Sequence, residues 1–134
     1  MIRLTTACAV FLVLLMTAGP ANSQTADSEP GELIRPPHLK RGDTILILSP
    51  AGRVGDRDKI DTATELANHW GLVVFYGNHL LSQDVTFAGT DHERLEDLQK
   101  GLDDRSIKAI WASRGGYGTI RIIDELDFSR FVAH

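Results

Sequence analysis

The sequence contains a single cysteine, Cys8, among 134 residues. One thiol cannot close a disulfide within the chain, so a disulfide-scaffold fold is excluded. Basic charge is also short. Fourteen Lys and Arg stand against 18 Asp and Glu, a formal net charge of −4, which excludes binders that depend on a basic face, and no nucleic-acid partner is expected. Disordered and collagen-like classes fail on composition, since 43% of residues are hydrophobic and 24% charged. Several motifs are missing as well. There is no G-x-G-x-x-G fingerprint and no Gly-Lys-Ser/Thr phosphate loop. No G-x-S-x-G elbow surrounds any serine. The histidines at 38, 69, 79, 92 and 134 form neither an i, i+4 pair nor an H-E-x-x-H, so no metal and no cofactor is expected.

What is present begins with an export signal. Arg3 precedes an uncharged stretch from Leu4 to Ala18 centred on Val10–Met16, Gly19-Pro20 breaks it, and Ala21 and Ser23 are small residues before Gln24. Basic start, apolar centre and small-x-small site describe a cleaved signal peptide over 1–23. The uncharged run is shorter than the roughly 20 residues a membrane anchor needs. A lipoprotein reading of Cys8 fails because Thr5-Thr6-Ala7 lacks the apolar residue usual before a lipidated cysteine. Cleavage leaves a cysteine-free chain without Arg3, suited to an oxidising periplasm. Residues 24–38, rich in Ser, Glu, Pro and Gly, read as a flexible leader.

From residue 39 apolar runs and helical stripes alternate. Thr44–Leu48 reads as a strand buried on both faces, Val73–Tyr76 as a second apolar run and Ile107–Ala112 as the third strand. Asp56–Trp70 carries Ile60, Ala63, Ala67 and Trp70 at helical spacing, with Leu66 beside them, and Gly71 to end the helix. Thr90 followed by Glu93 has capping-box spacing ahead of a stripe of Leu95, Leu98 and Leu102. Thr119–Leu126 reads as a third helix. This order predicts an α/β fold, a parallel sheet with flanking helices. Ligands then bind beyond the carboxyl ends of the strands. Three strands are few for such a sheet, so the domain reads as truncated.

Two turns fall on that rim: Ser49-Pro50-Ala51-Gly52 and Arg114-Gly115-Gly116-Tyr117-Gly118. Glycines let backbone approach a ligand, and N–H groups ahead of a helix favour an oxyanion or carboxylate. Arg114 offers a bidentate contact to a carboxylate. The competing reading is a tight connection in which glycine only relieves crowding. Ser49 ends a strand, but Pro50 removes the next N–H from an oxyanion role, so a turn or ligand contact is preferred to a nucleophile. His92 and Glu93 fit a first helical turn, and Asp103-Asp104, Asp124-Glu125 and Asp127 fit solvated helix ends.

With these residues in view, the chain resembles the LD-carboxypeptidase family, serine peptidases that include muramoyltetrapeptide carboxypeptidase and the microcin-immunity peptidases. The resemblance rests on Leu39–Ile45 leading into Ser49–Gly52, on Phe87–Leu98, on Ile107–Arg121 and on Leu126-Asp127-Phe128. It implies a flavodoxin-like sheet forming the N-terminal part of a two-domain enzyme, over residues 39–134. It also implies release of terminal D-alanine from a cell-wall tetrapeptide, a muropeptide or similar peptide-like substrate, by a metal-free Ser-Glu-His triad. In the family the nucleophile follows shortly after the position matching His134, and Glu and His come from a C-terminal domain. No catalytic residue therefore carries over, and the 134 residues alone are expected to be inactive. What carries over is an oxyanion or substrate role near Gly115 or Gly116, flanked by Arg114, Tyr117 and Ser49. The whole enzyme is expected to act as a homodimer. Two alternatives remain: a short exported module that binds peptide on the glycine rim without cutting it, and a flavin binder.

Overall fold

A computed structural model of the chain describes residues 35–133. The expected signal segment at 1–23, the leader up to residue 34, and His134 lie outside the described residues. The compact unit begins at Pro36.

Strand β1, Thr44–Leu48, lies between β2, Val73–Tyr76, and β3, Ile107–Ala112, with both pairings parallel. Its sequence explains that place. Ile45, Leu46, Ile47 and Leu48 leave no polar side chain to solvate, and all are at most 6% exposed. Burying each contributes on the order of 1.5–3 kcal/mol. Helix α1, Asp58–His69, covers one face, where Ile45 packs with Ala67 and Leu72, and Ile47 with Ile60 and Leu80. Helix α2, Asp91–Asp103, covers the other. Gly101 makes that approach close: a Cβ there would stand 2.7 Å from Cδ2 of Leu46.

The helix ends follow local chemistry. Thr90 Oγ1 accepts the N–H of Glu93 at 3.2 Å, and Glu93 Oε2 accepts the N–H of Thr90 at 2.7 Å, a complete capping box. Gly71, at φ +80°, ends α1: its N–H reaches the Asn68 carbonyl, and that of Leu72 reaches Ala67.

Two expectations need correction. The single helix over Thr119–Leu126 is broken into α3, Tyr117–Ile120, and a 3₁₀ turn, Ile123–Glu125, before a last short helix α4, Ser129–Val132. Ile120, Ile122 and Ile123 are β-branched and poor helix formers. Ile122 is fully buried at φ −113°, and the chain proceeds through i→i+3 bonds, Ile122 N–H to Thr119 and Glu125 N–H to Ile122. The inward face of α2 also differs from the leucine stripe. Arg94, Asp97, Gly101 and Leu102 are buried, while Leu95 and Leu98 are half-buried. Polar partners supplied by other segments make this burial tolerable.

Candidate functional site

The three strand ends are finished in different ways. After β1, Ser49 is 4% exposed, and its hydroxyl donates to the Leu80 carbonyl at 2.9 Å and shares a 2.5 Å hydrogen bond with Ser113 Oγ. Ala51 is fully buried; its carbonyl accepts the Ala88 N–H, and the Arg53 N–H donates to Thr86. Segment 86–88 thus covers the first turn. After β2, the buried Asp97 carboxyl accepts the N–H of Asn78 at 2.9 Å and of His79 at 2.8 Å.

The end of β3 is open. Ser113 prolongs the pairing with an N–H to the Leu48 carbonyl at 2.8 Å. Arg114, Gly115, Gly116 and Tyr117 are then all exposed. A Cβ on Gly115 or Gly116 would meet nothing within 4 Å, and Gly116 sits at φ +133°, a conformation that favours glycine. Among the described residues no acceptor takes the N–H of Gly115 or Gly116. The Arg114 stem lies against Gly52, where a Cβ would be 3.3 Å from Cδ, and its guanidinium meets no carboxylate among the described residues. The two rim turns therefore touch. Of the predicted site residues, Arg114, Gly115, Gly116 and Tyr117 share one open edge, while Ser49 lies beneath it with its hydroxyl occupied.

A polar cluster that sequence reasoning missed supports this edge. Gly118 is buried so closely that a Cβ would stand 2.7 Å from Ala51 Cα and 3.0 Å from Phe87 Cδ1. The guanidinium carbons of Arg94 and Arg121 lie 4.8 and 5.4 Å from the centroid of the Phe87 ring. Asp91 binds both arginines, receiving Arg121 Nε at 3.0 Å on each oxygen and Nη2 at 2.6 Å. The Arg121 hydrogen bonds, aided by Arg94, hold the Asp91 carboxyl below its ordinary value. Arg94 also donates to the Gly89 carbonyl, while its Nε is buried without a partner. A sequence signal existed in Asp91 and Arg94, which stand i, i+3 apart at a helix start; nothing local announced Arg121.

Elsewhere, His79 faces Glu93 and Glu96, each at 3.4 Å, and no serine hydroxyl bonds to it among the described residues. His92 is exposed in the first turn of α2. Among the described residues no cluster of three or more His, Cys, Asp or Glu side chains is arranged to hold a metal. Two cavities of about 260 and 270 Å³ lie beside Trp70 and Trp111, and beside Phe75 and Asp97; neither is lined by residues 113–118.

The architecture defines a parallel α/β domain with an open glycine turn at the carboxyl end of its sheet. Residues 45–134 match the family model of the LD-carboxypeptidase N-terminal domain, and the chain belongs to that family. A Bacillus subtilis protein named "Probable murein peptide carboxypeptidase" is 39% identical over 100 residues, covering 75% of this chain and 31% of the relative. The murein tetrapeptide carboxypeptidase of Pseudomonas aeruginosa is 30% identical over 118 residues, covering 88% of this chain and 34% of the relative. The chain thus spans about a third of the length of these curated relatives. Among solved structures, the microcin C7 self-immunity protein MccF shares the fold at TM-score 0.68 and 23% identity, covering 75% of this chain and 30% of that one. The muramoyltetrapeptide carboxypeptidase of Oxalobacter formigenes has TM-score 0.58 and 29% identity, covering 67% and 30%.

Proposed function

We propose that this chain is the N-terminal part of an exported, serine-type LD-carboxypeptidase that releases terminal D-alanine from cell-wall tetrapeptides. The observation that carries the reading is the exposed Arg114–Tyr117 turn at the end of β3, in a chain of this family. Residues 1–23 direct export and are removed, and the protein works in the periplasm. Serine, glutamate and histidine of the triad come from sequence following His134, so the 134 residues alone do not cleave. Histidine takes the serine proton while glutamate orients the histidine, and the serine attacks the carbonyl before the D-residue. The peptide bond breaks as histidine gives the proton to the departing D-alanine amine, and water then hydrolyses the acyl-enzyme. The role left to this chain is electrostatic. A free N–H of Gly115 or Gly116 receives the charge that develops on the attacked oxygen. Arg114, unpaired by any described carboxylate, binds a carboxylate of the peptide. Tyr117, 68% exposed beside it, contacts the substrate, and Ser49 braces the rim from below.

The test is D-alanine release from a muramoyl tetrapeptide, measured on the 134-residue chain and on the same chain extended through a C-terminal domain. Release by the extended protein alone is expected. Release by the 134 residues alone, or none by a folded extended protein, overturns the proposal.

A further inference from the structure

We infer that Asp91 and Arg121, backed by Phe87 and Arg94, are positioning residues that set the orientation of the 114–118 turn. The inference rests on the preceding reading for what that turn does, but not for how it is held. The turn has little of its own to fix it. Gly115 and Gly116 carry no side chains, and helix α3 has only four residues, too short to be stable by itself. On the β3 side the Ser113 N–H anchors it to Leu48. On the other side Gly118 packs against Ala51 and Phe87, and the first side-chain hydrogen bond is that of Arg121, which grips Asp91 in a two-pronged contact across 30 residues of sequence. Asp91 is a rigid post, since it opens a capped 13-residue helix and is also bound by Arg94, itself only 1% exposed. Phe87 completes the cradle, lying under both guanidinium groups and against Gly118.

Magnitudes separate this role from a purely stabilising one. The Asp91 and Arg121 side chains are 37% and 44% exposed, and pairs so exposed contribute little to stability. A small displacement of a group that must meet a developing charge is far more costly to rate.

The test compares Arg121→Gln and Arg121→Lys in the extended protein. In Arg121→Gln, exchange of the Thr119 and Ile122 amides, which donate to the Gly116 and Thr119 carbonyls, accelerates about tenfold while Thr44–Leu48 keeps its protection. The same variant loses about 100-fold in kcat/KM, and Arg121→Lys recovers most of it. Unchanged exchange in the turn, parallel loss of protection in β1, or failure of lysine to rescue overturns the inference. A wild-type protein that releases no D-alanine overturns the preceding reading alone, and the exchange comparison still decides the positioning.

Discussion

The turns after β1 and β3 occupy equivalent places, since Leu48 and Ala112 are partners in adjacent parallel strands. Their fates are opposite. The first is packed, with Ser49 hydrogen-bonded on both sides and Ala51 sealed by segment 86–88. The second leaves two glycines and Arg114 in solvent. Position at the carboxyl end of a sheet is therefore not enough to make a turn available to a ligand. What separates them is whether another segment of the chain supplies partners for the polar groups there. The turn after β2 sides with the first, because Asp97 consumes its N–H groups.

Breaking the seals should therefore cost stability, whereas changing the open turn should not. The largest effect is expected for Asp97→Ala, which strands two N–H groups beneath α2 and lowers unfolding free energy by about 3 kcal/mol in a urea titration. Gly118→Val forces a side chain into Ala51 and costs about 2 kcal/mol. Gly115→Ala, three residues away in open space, stays within about 0.5 kcal/mol of the parent in the same titration. Equal losses at the two glycines would erase the contrast between packed and open turn. Ser49→Ala removes the hydroxyl that joins Leu80 to Ser113 and lowers the free energy by about 1 kcal/mol. An unchanged midpoint there would mean that the first turn is not sealed by its serine.

The smallest effect is in acid. The Asp91 carboxyl is held below its ordinary value of 3.8 by Arg121, so the pair contributes stability above that value and loses it as pH falls through the folded pKa. Thermal melts below about pH 4 should therefore show a shallower decline for Asp91→Asn than for the parent. Identical slopes would remove Asp91 from the acid response.

Much of the architecture could be read along the chain. Thr90 and Glu93 announced the start of α2 through a contact three residues long, and Gly71 announced the end of α1 in the same way. The continuous apolar run Ile45–Leu48 marked a strand buried on both faces. The glycine turn was legible as a candidate because Gly115-Gly116 is a local pattern. Its neighbours were less so. Three β-branched isoleucines weakened the third helix, and it broke at Ile122 because the interior claimed that side chain, a demand no local window contains. Arg94 and Asp97 carry charge and look solvated from their composition, yet both are buried because Phe87, Gly89, Asn78 and His79 arrive from elsewhere.

The sequence by itself determined the strands, the two long helices and the family, since each depends on side-chain periodicity, helix capping or motif order within short windows. Only the tertiary structure decided that β1 lies between β2 and β3, that Ser49 is occupied while Gly115 and Gly116 are open, and that Arg121 meets Asp91. The physical reason is that a buried polar group is stable only where partners converge on it, and convergence across 30 or 64 residues is a property of the packed chain.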